Sequence, residues 1–340
     1  MDPYRLVGSL GSPYSLKLRA VLRYRHIPFR WVPKGSRWES DIPAVKVPVI
    51  PVLVRRPTDG GPPTADVDTT PLLRRLEEEH AGRSIRPRSP EARFLDALVE
   101  DYADEWVTKL MFHYRWAFEA DVAFARRLLP LQAEVTLPSQ RVAELAAAFG
   151  DRQLDRRELV GSTDAHGPLL EGSYRRLLDL LVDLLEGTPF LFGERPASAD
   201  FALYGQLAQL TRVDPTSAAV AREHAPRVIA WVEWIDDLAW WEPAEDGWMP
   251  WEALVARLRP LLEEIGRTYA PFMAANGRAL SAGEDEVRLT LSGHPYVQRA
   301  FRYQGKCLRA LRTQREELPE EARRRVDEAL AGTGNEVLFA

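Results

Sequence analysis

Cysteine is nearly missing from this 340-residue chain: Cys307 stands alone, so no internal disulfide can form and a cytoplasmic protein is expected. Lysine is scarce too, confined to Lys17, Lys34, Lys46, Lys109 and Lys306, while arginine is abundant. That bias fits a GC-rich or heat-adapted source better than it fits a function. No run approaches the ~20 apolar residues that cross a membrane. The opening MDPYRLVGSLGSPYS has no basic segment followed by an apolar run, so no secretory signal is expected. Positive charge is not in excess, at a net −5, and the basic footprint of a nucleic-acid binder is missing. His26, His80, His113, His166, His224 and His294 show no metal-ligand spacing among themselves or with Cys307, so no metal is expected. Gly8 and Gly11 are too few for a phosphate loop or a dinucleotide-binding turn.

The length allows two or three packed units, since one core serves about 100 to 200 residues. Residues 4–7 read as a strand ending at Gly8, 16–25 as a helix, 29–32 as a second strand and 47–54 as a third. The third carries Pro48 and Pro51, and proline in a strand belongs at an edge, a bulge or a cis bond. A Pro-Gly loop at 57–63 precedes a helix opened by Thr70 and Pro71. These elements make a small α/β unit over 1–82, and 83–90, rich in arginine, proline and serine, suits a linker.

From 91 to 273 the pattern is helical. Leu95, Leu98, Val99, Tyr102, Trp106, Leu110 and His113 form one stripe, and further helices are expected at 142–148, 173–185, 199–210, 228–239 and 251–269. Residues 274–340 read as an appendage: strand alternation at 287–291, a turn at 293–295, then helices at 301–311 and 319–331. The tryptophans between 231 and 251 suggest packing between the helical unit and this appendage. Cys307 sits in a helical pattern with Leu308 and Leu311 and reads as a buried apolar residue.

Three stretches carry chemistry. The first is 8–22, GSLGSPYSLKLRAVL, where Ser12 stands at the start of a helix with Pro13 at its first position. Taken alone, that is what an ordinary N-cap requires. The second is 46–53, KVPVIPVL, and the third is 68–77, DTTPLLRRLE. Their order and spacing resemble the glutathione transferase family, with a weaker match at 193–207, GERPASADFALYGQL. The family's box there has Ser or Thr three residues before the Asp; this chain has Ala197 before Asp200, so the cap is expected to be weakened or rearranged, at roughly 1 kcal/mol.

The resemblance implies a thioredoxin-like N-terminal domain over 1–82 and an all-α C-terminal domain over 91–273, with the appendage as an addition. It also implies glutathione as co-substrate, a role in detoxification, and dimers as an assembly open to the chain. Ser12 would face the glutathione sulfur as a hydroxyl donor, with Ser9 and Tyr14 as alternatives on the same loop and helix. Ile50 would offer backbone groups to the peptide beside a cis Pro51, with Pro48 the other proline to consider. Asp68 and Thr69 would take the γ-glutamyl end, Asp68 pairing with its amino group. A reacting small electrophile would sit between the domains, with Tyr14, Tyr102, Trp106 and His113 as candidate walls, although such a stripe also serves as plain core.

Within the same segment Glu105 and Lys109 read as an i,i+4 surface pair, and Glu100, Asp101, Asp104 and Glu105 as a solvated helix face. Thiol-disulfide exchange needs a cysteine where this chain has Ser12, and serine forms no mixed disulfide. The remaining alternative is a binding or scaffold protein on the same fold without turnover.

Overall fold

The first apolar run becomes β1, Tyr4–Gly8, which pairs in parallel with β2, Phe29–Pro33, through α1, Pro13–Tyr24. In this computed structural model, which describes residues 3–57 and 60–340, β1 also pairs antiparallel with β3, Val52–Arg55, and β3 with β4, Thr64–Asp66. The sheet order is β2-β1-β3-β4, and α2, Thr69–Glu79, comes next in the chain. Strand alternation sorts the side chains: Leu6 and Leu53 join the main core with α1, while Val7, Val32, Val52 and Val54 form a second cluster under Ile42 and Val45. The third strand is shorter than the sequence suggests, because Pro48 and Pro51 have no N–H to give a ladder. Thr58 and Asp59, inside the expected Pro-Gly loop, lie outside the described residues.

The helical unit opens with α3, Pro90–Tyr102, capped by Ser89, whose hydroxyl accepts from Ala92 N. A π-helical turn, Ala103–Val107, leads straight into α4, Thr108–Ala117. Then come α5 (Glu119–Ala133), α6 (Ser139–Leu154), the short α7 (Arg157–Val160), α8 (Gly167–Leu184) and α9 (Ser198–Arg212). After α10 (Pro215–His224) and α11 (Pro226–Asp236) stand α12 (Trp251–Arg267) and α13 (Tyr269–Ala282). The fold is thus a thioredoxin-like α/β domain followed by an all-α domain. Helix α9 is buried along nearly its whole length and crosses α1 at Gly205, where a Cβ would come within 2.4 Å of the Pro13 carbonyl.

The appendage is a hairpin, β5 (Glu286–Leu291) with β6 (His294–Arg299), then α14 (Arg302–Glu316) and α15 (Glu320–Leu330). Helix α13 runs without a break through position 274. Hairpin residues Tyr296 and Gln298 reach the helical unit, and Tyr296 stacks on His166 with ring centres 4.3 Å apart. The tryptophans are split. Trp241 packs edge-on against Phe190, and Arg83 of the linker donates to the carbonyls of Leu238 and Trp241, so that part fastens the all-α domain to the N-terminal side. Trp248 and Trp251 line a cavity of about 330 Å³ together with Arg325 of the appendage. Among the described residues no helix is long and apolar enough to cross a membrane.

Candidate functional site

The sheet register brings three of the singled-out stretches to one corner. Val7 faces Val52, and Leu53 faces Asp66. Extending the ladders places Pro51 opposite Gly8 and, on its other side, opposite Asp68. Helices α1 and α2 both start at this corner, so the positive ends of two helix dipoles meet there.

Ser12 is the N-cap of α1: its hydroxyl oxygen accepts from Ser15 N at 3.3 Å, with Pro13 at the next position. An accepting hydroxyl still has its proton to give. Two neighbouring serine hydroxyls accept in the same way. Ser9 Oγ accepts from Gly11 N, and Ser15 Oγ, fully buried, accepts from Ser9 N. Tyr14 turns into the all-α domain, donating to the Asp104 carbonyl at 2.8 Å in the π turn. Burial, with Glu105 and Asp104 close by, raises its pKa well above the usual phenol range. The loop is held from outside by Arg115, which donates to Gly11 O, and by Gln209, which donates to Leu10 O.

The Ile50–Pro51 peptide is cis, at the proline the sequence favoured, and Pro51 is buried at the start of β3. Asp68 is the N-cap of α2 but does not cap with its side chain; it adopts φ 76° and ψ 106°, a region L-residues visit at some cost. Thr69 is buried in the first turn, and the helix starts there instead of at Thr70. Thr70 donates to Glu100 Oε1 at 2.9 Å, tying α2 to α3. The Asp68 carboxylate faces Lys306 of α14, with Oδ2 and Nζ 3.5 Å apart.

The acidic run behind this corner is not solvated. Glu100, Asp104 and Glu105 are all buried: Glu100 of α3 and Asp104 of the π turn face Lys17 of α1, and Glu105 faces Cys307 of α14. Lys17, 1% exposed, fills the space with Nζ 2.7 Å from Glu100 and 2.6 Å from Asp104. Despite burial, these two carboxylates raise the lysine pKa, and Glu100 is lowered in return. Desolvation outweighs the lysine at Asp104, which goes up to about 6. Asp101 accepts from the Tyr269 hydroxyl and rises to about 7, chiefly through burial.

Nor is there a Glu105–Lys109 surface pair. Lys109, also 1% exposed, donates to Val160 O at 3.0 Å and Gln298 Oε1 at 2.6 Å, and desolvation pushes it down to about 7. A regular i,i+4 spacing presumes an unbroken α-helix, which the π turn at Ala103–Val107 removes. Nothing in the sequence of α1 sets Lys17 apart from Arg19 and Arg23, so the buried triad had no local signal.

The four expected pocket walls do not gather around a cavity. Tyr102 and Trp106 have no exposed surface; Trp106 donates to Ser173 Oγ, and Tyr102 meets Tyr269 edge-on. Buried His113 contacts Ser162 Oγ through Nδ1 and is lowered to about 4, mainly by burial. A cavity of about 250 Å³ near α1 is lined by Leu10, Leu16, Arg19, Tyr204, Arg212 and Asp236 among others, and by none of Ser12, Pro51, Asp68 or Thr69. Cys307 points its thiol at Glu105, and burial raises its pKa far above the usual range, so it is not a reactive thiolate. Among the described residues no group of three histidine, cysteine or acidic side chains could hold a metal.

Residues 6–84 match the family model for the glutathione S-transferase N-terminal domain, and residues 143–233 the one for its C-terminal domain. Among solved structures the chain is similar to a glutathione S-transferase from Methylobacterium radiotolerans in complex with glutathione sulfonate. Identity is 19% and the TM-score 0.40, covering 73% of this chain and 99% of that one. A glutathione transferase family member from Pseudomonas fluorescens with two glutathione bound shows 16% identity and TM-score 0.41 over 68% and 87% of the two chains. FzlA from C. crescentus shows 15% and 0.42 over 73% and 96%. No curated protein gives a match.

Proposed function

The chain belongs to the glutathione S-transferase family, and from that premise we propose that it binds glutathione at the N-terminal domain and activates the thiol with Ser12. The observation that carries this reading is the corner where the starts of α1 and α2 open beside Pro51. Glutathione lies extended past Ile50 and Pro51, pairing through backbone groups as an added strand does. Its γ-glutamyl end reaches α2, where the N–H groups of the first turn receive the carboxylate and Asp68 takes the amino group. The sulfur faces Ser12.

A thiol is a weak nucleophile and its ordinary pKa is ~8.5, so the thiolate must be favoured. Lowering that pKa by one unit takes ~1.4 kcal/mol of preference for the anion. Ser12 supplies a proton donor to the sulfur while its oxygen still accepts from Ser15 N, and the start of α1 adds positive potential. The thiolate then attacks a small electrophile: its lone pair forms the carbon–sulfur bond, and the leaving group departs with the broken bond's electrons. This reading brings with it a detoxifying role in the cytoplasm, and a homodimer is the assembly to look for.

Calorimetric titration of glutathione into the wild type and Ser12→Ala, with thiolate absorbance followed against pH, tests the proposal. The expected result is binding with a lowered thiol pKa that rises in the variant. Binding with an equal thiol pKa in both proteins would remove Ser12 from the role, and no binding at millimolar glutathione would remove the reading. A second reading, a binding protein without turnover, draws support from the closed state of the expected electrophile walls, since Tyr102 and Trp106 are wholly buried. Glutathione binding without turnover across several electrophile classes would decide for it.

A further inference from the structure

We infer that Lys306, carried by the C-terminal appendage, is a binding residue for the α-carboxylate at the γ-glutamyl end of glutathione, so that Asp68 and Lys306 together recognise an α-amino acid group. This rests on the glutathione reading above. An α-amino acid carries a cation and an anion on one carbon, and its complement is an anion and a cation a few ångströms apart. Asp68 Oδ2 and Lys306 Nζ, at 3.5 Å, form such a pair at the start of α2.

The placement of Lys306 does not depend on that ion pair. An exposed lysine–carboxylate contact holds little by itself, and Lys306 is 65% exposed in its side chain. Helix α14 is fixed independently. Asn276 of α13 clamps Phe301 just before the helix, donating to its carbonyl at 3.1 Å and accepting from its N–H at 2.8 Å, and Leu308 and Leu311 are buried in the core. Lys306 and Tyr303, one turn apart, therefore stand over the corner on an anchored helix, with Nζ 5.5 Å from the Tyr303 ring centre.

The surroundings favour a cation there. Cys307, the next residue, lies within the fields of Glu105, Asp101, Asp68 and Asp104. Lys17 is already bound to Glu100 and Asp104 and has no surface to offer a ligand. A ligand carboxylate received by the first turn of α2 lies near these acidic groups, and Lys306 is placed to offset their repulsion. On binding, the ligand's ammonium replaces Lys306 at Asp68, and its carboxylate takes the lysine.

The test compares wild type, Lys306→Ala and Lys306→Arg by calorimetry with two probes: glutathione, and 4-aminobutyryl-cysteinyl-glycine, which keeps the amine but lacks the α-carboxylate. The expected result is about a tenfold loss of glutathione affinity in the alanine variant, ~1.4 kcal/mol, substantial rescue by arginine, and no loss for the decarboxylated probe, whose amine no longer competes with the lysine for Asp68. Equal losses for both probes, no loss, or tighter glutathione binding in Lys306→Ala would each overturn the assignment; the last would mean that the lysine obstructs Asp68. Failure of the wild type itself to bind glutathione would instead overturn the glutathione reading, and this inference with it.

Discussion

Two of the five lysines are equally buried, each 1% exposed, and the protein treats them in opposite ways. Lys17 enters from α1 between Glu100 and Asp104 and is held more firmly protonated than in water. Lys109 donates to the neutral acceptors Val160 O and Gln298 Oε1, and burial, offset in part by Glu105, pulls it down to about 7. Depth alone therefore does not decide a buried amine's charge; the formal charge of its partners does. The Lys17 centre joins the two domains, since its carboxylates belong to α3 and the π turn. The Lys109 centre joins the all-α domain to the hairpin of the appendage.

The strongest way to break the contrast is Lys17→Met. It leaves Glu100 and Asp104 buried without a counter-charge, and a loss of about 3–5 kcal/mol is expected in urea unfolding. Adding Glu100→Gln and Asp104→Asn to that variant should recover much of the loss, because the uncompensated charges go too.

The second test uses pH. Lys109 has a folded pKa near 7, below its unfolded value of ~10.4, so the unfolded chain binds more protons between those limits and stability rises with pH there. Against Lys109→Met, the wild type should gain roughly 2 kcal/mol between pH 7 and pH 9. Lys17, whose pKa is raised, contributes fully below its unfolded value and loses that contribution only as pH climbs through the higher folded one, so it adds no slope in this window. Parallel unfolding curves for wild type and Lys109→Met at both pH values would break the comparison.

Smaller effects sharpen it at the edges. Ser12→Ala removes the N-cap of α1 and should cost about 1 kcal/mol in the same assay. Lys306→Ala should lower the unfolding free energy by no more than about 0.5 kcal/mol, because the lysine side chain is 65% exposed. A stability change that small makes any loss of ligand affinity in that variant a statement about binding.

The N-terminal domain was legible in the sequence because its signals are local. Ser12 followed by Pro13 announces a helix start within two residues, and the strands alternate or run apolar over four or five. The cis peptide at Pro51 and the helix start beside Asp68 lie where the motifs suggested. The segment 100–109 misled for a physical reason: its charges were assigned to an uninterrupted α-helix facing water, whereas the π turn interrupts it and Lys17, 83 residues from Glu100, faces Glu100 and Asp104 in the interior. Lys306 had no motif at all, because its place beside Asp68 spans 238 residues and arises only when the appendage docks. Helices α5, α10 and α13 and the strands β4 and β6 were also unread, being short, proline-started or weakly periodic.

The start of α9 shows what such distance means for how the chain folds. Ala197 at its N-cap has no side-chain acceptor. Asp200 instead accepts from the backbone of Leu191 and Ala197, and Asp96 of α3 accepts from Ala199 N and the Ser198 hydroxyl. A helix that carries its own cap can use it as soon as the first turn nucleates. Here the acceptor for Ala199 N is lent by a residue 103 positions earlier, so loop closure must come before the cap does. The first turn of the most deeply buried helix therefore becomes secure only in concert with its docking on α3, and the timing of the all-α domain's assembly is tied to one aspartate outside the helix it caps.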